Sequence, residues 1–232
     1  MSWLYLALNI FSLSIPLWRS FEKKVYFFGY WRALWPAIII TAGAFIAWDI
    51  YFTAEGIWGF NPAYLLGINI INLPFEEVLF FICIPYACVF SYEALNYFIK
   101  KDFLKSVAIY VSAILVALSL AIAIANMDKW YTSSTFFGLA GLVFYLQFVK
   151  QVPYLSKFYR AYLFILIPFF LVNGVLTGTA IPNEVVWYND SHNLGIRMGT
   201  IPLEDTFYGM LLILLNVAIY EGLKSKFKTK QA

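Results

Sequence analysis

The sequence predicts an all-α integral membrane protein with seven transmembrane helices. Its amino terminus is expected outside and its carboxyl tail in the cytoplasm, with two parallel three-helix repeats joined by a connector helix. Three observations predict this. Of 232 residues, 62% are hydrophobic and only 12% charged, against about 45–50% and about 25% in ordinary soluble domains; with a mean hydropathy of +0.74, a soluble globular fold is excluded. Seven apolar runs approach the roughly 20 residues that a helix needs to cross a hydrocarbon core of about 30 Å. Finally, 14 of the 16 lysines and arginines fall on one side of those runs.

The first run, Ser2 to Trp18, has no basic stretch before it and no small-residue cleavage site after it, so a retained helix is expected rather than a signal peptide. The second, Trp31 to Phe52, carries Asp49 near its outer end. The third, Pro74 to Ile99, opens on Pro74-Phe75-Glu76-Glu77, and Phe103 to Ala125 is the fourth. Ser133 to Val149, Ala161 to Ile181 and Pro202 to Leu223 complete the set. This divides the chain into a first repeat at 1–99, a connector at 100–127 and a second repeat with a basic tail at 128–232.

Orientation follows from lysine and arginine. Arg19, Lys23, Lys24 and Arg32 flank the first turn, Lys100, Lys101 and Lys105 the third, and Lys150, Lys157 and Arg160 the fifth; Lys224, Lys226, Lys228 and Lys230 form the tail. Only Lys129 and Arg197 lie opposite. A multi-pass protein of the cell (cytoplasmic) membrane is expected, with membrane lipids as its surroundings.

Several chemistries are excluded. One histidine is too few for an iron site built on histidine boxes. Cys83 and Cys88, inside an apolar run, read as small buried hydrophobes. The net charge of +3 and the absence of a basic patch with interleaved aromatics argue against nucleic acid as a partner. Seven spans of this polarity invite comparison with rhodopsins, but no lysine precedes Lys224 in the last span, so a retinal-linked photoreceptor is excluded. GxGxxG, GxxxxGK[ST] and DDxxD patterns are missing, so neither cofactor nor metal is expected.

The chain also repeats itself. At an offset of 128, Gly67, Ile68, Pro74, Glu76, Val89, Tyr92, Glu93 and Leu95 fall over identical residues at 195, 196, 202, 204, 217, 220, 221 and 223. Glu77 falls over Asp205 and Arg32 over Arg160; a gap of about four brings Asp49 over Asn173. An offset of four helices makes the repeat parallel, which sets corresponding polar groups at one membrane face.

Ionisable groups inside spans are costly and are functional candidates by default. Glu76-Glu77 and Glu204-Asp205 each follow a proline at a helix start, where a purely structural role is available: proline suits the first turn and carboxylates favour the helix dipole. Two copies, each closing an aromatic outer loop (Thr53 to Leu73 and Pro182 to Ile201), favour function. Adjacent helical residues point about 100° apart, so Glu77 and Asp205 are expected inward, while Glu76 and Glu204 orient neighbours or share the proton. The Asp205 face carries Gly209, Leu212 and Asn216, and the Glu77 face Phe81, Ile84 and Cys88. Asp49, Asn173 and Arg197 are expected to complete the outer polar cluster. Phe80, Phe81, Tyr86 and Phe90 are dense enough to line a cleft where aromatic faces stabilise a cation. Glu93 and Glu221, about 25 Å further along the same helices at about 1.5 Å per residue, read as interfacial ion-pairing groups, and His192 as a solvated loop residue.

The strings INLPFEEVLFFICIPYACVFSYEAL, after WDIYFTAEGIWGFNP, and GIRMGTIPLEDTFYGMLLILLNVAIYE, after LVNGVLTG and VVWYN, resemble the two halves of the membrane lycopene cyclases. In that family the halves are separate small subunits in some bacteria and one fused chain in archaea, other bacteria and fungi. The resemblance covers essentially the whole chain; 232 residues leave no room for the phytoene synthase domain of fungal fusions, so it is not expected within them. It implies a carotenoid substrate taken from the bilayer, cyclisation of lycopene ψ-ends without redox change or flavin, and Glu76, Glu77, Glu204 and Asp205 as the family's paired acids, without saying which donates the proton. A homo-oligomer or association with other carotenoid enzymes is left open. In such a reaction a proton adds at C2, the C5–C6 double bond attacks the cation at C1, and loss of the C6 proton sets the β-ring, giving γ-carotene and then β-carotene. An acid able to protonate an alkene must hold its proton until use, which burial favours. An ε-ring or C50-carotenoid cyclase, a non-catalytic carotenoid-binding subunit and a small-molecule transporter are the alternatives.

Overall fold

The computed structural model describes residues 2–229; Lys230 of the basic tail lies outside the described residues. Seven α-helices lie among the described residues: α1 (Leu4–Arg19), α2 (Trp31–Ala54), α3 (Phe75–Phe98), α4 (Ala108–Ala125), α5 (Trp130–Phe144), α6 (Leu155–Leu176) and α7 (Leu203–Thr229). All but α1 belong to helical segments long and apolar enough to cross a membrane, α5 by running on as a π-helical turn through Val149. The 16 residues of α1 give about 24 Å at 1.5 Å per residue. Exposed Trp3 and Trp18 stand at its ends, where interfacial aromatics anchor a short helix.

One boundary differs instructively from the sequence reading. Charges were expected to delay the sixth helix until Ala161, yet α6 begins at Leu155 and includes Lys157 and Arg160. Arg160 is fully buried and donates to the Ile99 and Lys101 carbonyls at 3.2 Å and to Asn96 Oδ1 at 2.6 Å. Its guanidinium thus satisfies carbonyls that the end of α3 leaves without intrahelical partners, which is why a charge is tolerated inside a helix. α6 stops at Leu176 rather than Ile181, and the turn after it uses Gly178 at a φ of 107°.

Helix packing crosses between the halves. α1 lies along α3 and α5 along α7, while α2 packs on both α3 and α7 and α6 packs on α3. Inside a bilayer no hydrophobic force drives helices together, so close approach and hydrogen bonds must do it. Gly209 of α7 accordingly meets Tyr162 and Phe169 of α6, and the Tyr162 hydroxyl donates to the Thr206 carbonyl at 2.5 Å. α4 lies outermost, packed on α5, with Ile109, Ile114, Leu118 and Ile124 exposed.

At the lysine-rich end, contacts recur at the spacing of 128. The Tyr92 hydroxyl donates to Glu221 Oε1 at 2.8 Å and the Tyr220 hydroxyl to Glu93 Oε1 at 2.9 Å. Glu93 also pairs with Lys224.

At the other end the loops after α2 and α6 carry strands that the sequence did not suggest. β1 (Trp58–Phe60) from the first loop pairs antiparallel with β4 (Val186–Tyr188) from the second, Trp58 opposite Tyr188. Each loop then forms its own small hairpin, β2 (Asn69–Ile70) with β3 (Leu73–Pro74) and β5 (Arg197–Met198) with β6 (Ile201–Pro202). Gly59 lies so close to Trp187 that a Cβ there would stand 2.4 Å from the indole. The paired loops cap the bundle over the first turns of α3 and α7.

Candidate active site

Pro74 and Pro202 end their hairpins, and the two acid pairs occupy the first turns of the helices that follow. Within each pair the roles diverge. Glu76 Oε1 accepts from Leu66 N at 2.6 Å; Glu204 Oε1 accepts from Leu194 N at 2.7 Å and from Thr132 Oγ1 at 2.6 Å. Both side chains are fully buried. Each ties its own loop back onto the helix that it starts, and neither lines the cavity formed by their neighbours.

Glu77 and Asp205, one residue on and about 100° round, do line that cavity, together with Asp49 and Asn173. Its volume is about 320 Å³. The Tyr5 hydroxyl donates to Glu77 Oε2. Trp58 Nε1 donates to Asp49 Oδ1 at 2.5 Å and Thr53 Oγ1 to the same oxygen at 3.2 Å, while Asp49 Oδ2 has no partner among the described residues. Asp205 receives Tyr131 on Oδ1 at 2.5 Å, and Tyr188 and Asn173 on Oδ2 at 2.9 and 2.8 Å. Burial, with the Asp205 carboxylate beside it, holds the Tyr188 phenol well above its usual range, so it acts here as a donor. Among the described residues, no lysine, arginine or histidine lines the cavity.

Aromatic rings enclose the acids. Trp58 lies 5.1 Å from Tyr131 and 5.9 Å from Tyr208 between ring centroids; Tyr131 stacks on Tyr188 at 5.9 Å, and Tyr208 packs against Trp48 at 5.4 Å. From this cage an apolar cleft runs between α1 and α6 along α3, from Glu77 past Phe80, Ile84 and Cys88 to Ser91. The fourteen helical steps from Glu77 to Ser91 correspond to about 21 Å at about 1.5 Å per residue.

Some residues singled out in the sequence lie elsewhere. Phe81 is buried against Phe45 of α2, on the side of α3 turned away from the cleft. Asn216 is fully buried in α7 without lining the cavity, and both its side-chain polar atoms lack partners among the described residues. Arg197 does not join the acids: it pairs with Asp190 at 2.7 Å and donates to the Thr200 carbonyl at 3.1 Å in the loop between α6 and α7. A charged side chain of that length keeps its head in water where a solvated partner is at hand. Such an exposed pair contributes about 1 kcal/mol or less, so Arg197→Ala is expected to leave the unfolding midpoint in detergent unchanged.

Sequence reading missed Tyr5, Trp58, Tyr131, Tyr188 and Tyr208. Tyr208 stands 128 residues after Phe80, so the repeat carried a signal for it. Tyr5 precedes Glu77 by 72 residues, whereas Tyr131 precedes Asp205 by 74, and an ungapped register separates that pair. Trp58 and Tyr188 come together only through the pairing of β1 with β4.

A family model described as lycopene cyclase matches residues 2–95 and 128–223, most of the chain in two blocks. A bifunctional lycopene cyclase/phytoene synthase of Aspergillus oryzae (strain ATCC 42149 / RIB 40) is 31% identical over 116 residues, or 47% of this chain; the match spans 19% of that relative. No solved structure matches the chain.

Proposed function

The chain belongs to the lycopene cyclase family, and on that premise we propose that it closes the linear ψ-ends of lycopene into β-ionone rings, without redox change, giving γ-carotene and then β-carotene. The observation that carries this reading is an apolar cleft ending on three carboxyl groups, with no cationic side chain among its lining residues and an aromatic cage around them. A hydrocarbon end that enters the cleft meets proton donors and acceptors and little else that is polar. Glu77 and Asp205, with Asp49 beside Glu77, supply acid and base. Glu76 and Glu204 assist by holding the loops that cap the site.

The chemistry needs water kept away, because water traps a tertiary cation. Trp58, Tyr131, Tyr188 and Tyr208 present ring faces and edges around the acids, and aromatic faces stabilise a cation electrostatically. Phe80 lies at the cleft side of this cage. In this reading the protein is a multi-pass protein of the cell membrane, its amino terminus outside, built as two parallel three-helix repeats joined by α4.

Because the cleft follows α3 for about 21 Å, a long carotenoid lies along the helices and presents one end to the acids at a time. Two rings then require two visits. Liquid chromatography of pigments from a lycopene-producing bacterium expressing this chain is expected to show β-carotene, with free γ-carotene early in turnover. A Glu77→Gln, Asp205→Asn double variant, inserted to the same level, is expected to leave lycopene unchanged. Unconverted lycopene with well-inserted parent protein overturns the proposal in favour of carotenoid binding or transport; an ε-ring or C50 product redirects it within the cyclases. Absence of γ-carotene at every time point overturns the two-visit scheme.

A further inference from the structure

We infer that Asp49 and Glu77 together hold the proton that opens the reaction, and that Asp205 faces them as the ionised base that receives the proton released at C6. This rests on the cyclase reading and assigns its two proton transfers to different carboxyl groups. The argument is one of hydrogen-bond partners. Asp205 is met by three donors, the Tyr131 and Tyr188 hydroxyls and the Asn173 amide, and an amide NH₂ can only donate. Three donors on two oxygens are the partner set of a charged carboxylate.

The pair across the cage is differently supplied. Asp49 takes Trp58 and Thr53 on one oxygen, while its Oδ2 has no donor. Glu77 has the Tyr5 hydroxyl on Oε2 as its donor. Two carboxyl groups that line one cavity with fewer donors than Asp205, and with no cation among its described lining residues, are not both held charged. Asp49 and Glu77 therefore share one proton. Trp58 joins the two sides, since its Nε1 holds Asp49 while its ring packs edge-on against Tyr131 and Tyr188, the phenols that hold Asp205. Both Asp49 and Glu77 line the cavity that the substrate end enters.

The steps balance within the site. The dyad's proton passes to C2 of the ψ-end and leaves a cation at C1. The C5–C6 π pair forms the C1–C6 bond and moves the cation to C5. Asp205 takes the C6 proton as the C5–C6 double bond re-forms. Release of that proton to solvent and uptake of another by the dyad reset the site, and substrate and product are isomers.

The test runs the full-length protein with lycopene in D₂O, parent beside Asp49→Asn, Glu77→Gln and Asp205→Asn. The parent is expected to place one deuterium at C2 of each ring. In Asp205→Asn, ring formation falls about a hundredfold or more, yet recovered lycopene gains deuterium at its ends, because protonation persists and reverses. In Asp49→Asn and Glu77→Gln both ring formation and exchange are lost. An infrared band of a protonated carboxyl, expected in the parent and in Asp205→Asn but absent from the other two, reads the same assignment without substrate. If the parent makes no rings, the cyclase reading fails while the infrared band still decides where the proton lies. Exchange lost in Asp205→Asn, ring formation retained in Asp49→Asn, or a carboxyl band lost only in Asp205→Asn overturns the inference.

Discussion

Glu77→Gln is expected to cut ring formation by about 10²- to 10⁴-fold, the range that a general acid contributes, while inserted protein stays at the parent level. The substitution keeps side-chain volume and an oxygen to accept the Tyr5 hydroxyl. It removes the carboxyl that lines the cavity beside Asp49, the group proposed to give its proton to an alkene. The readout is the ratio of cyclised carotenoid to lycopene, normalised to the amount of monodisperse protein extracted in detergent. A variant that still makes γ-carotene within threefold of the parent would place the proton donor elsewhere.

Glu204 predicts the opposite pattern, although it lies one residue from Asp205. Its Oε1 is the shared acceptor of Leu194 N and Thr132 Oγ1 in a fully buried setting. Glu204→Ala leaves both donors unpaired, at about 1–3 kcal/mol each, and frees the loop between α6 and α7 from the start of α7. A lower unfolding midpoint in detergent and reduced yield are expected. Glu204→Gln keeps the acceptor oxygen and is expected to recover most of the midpoint and most of the cyclised pigment. Loss of cyclisation in Glu204→Gln at a normal midpoint would mean that its charge, not its hold on the loop, matters to the reaction. Glu77 and Glu204 thus separate the two jobs: for Glu77 the conservative amide fails, for Glu204 it suffices.

The difference between these acids was half legible in the sequence. Adjacency on a helix said that the members of each pair face different ways, and the repeat said that Glu77 corresponds to Asp205 and Glu76 to Glu204. What each reaches was not legible. Glu76 and Glu204 find backbone amides ten residues earlier only because β2–β3 and β5–β6 fold back as hairpins. Phe81 was expected to line the cleft from spacing alone, but the approach of α2 turns that side of α3 toward Phe45. Arg160 was used to end a span, and the carbonyls that make it tolerable lie about 60 residues away at the end of α3.

By itself the sequence determined the membrane class, the helical runs, the internal correspondence at 128 residues and the two proline–acid motifs. These follow from hydropathy, helix period and local spacing, which act over one or two helical turns or along one continuous span. Only the tertiary structure decided that Asp49, Glu77 and Asp205 meet in one aromatic cage, that Tyr5, Tyr131 and Tyr188 are their donors, and that Trp58 bridges them. Those groups come from five helices and two loops, and a buried carboxyl is defined by the donors packed against it. Local patterning carries no record of which distant side chain the packing delivers.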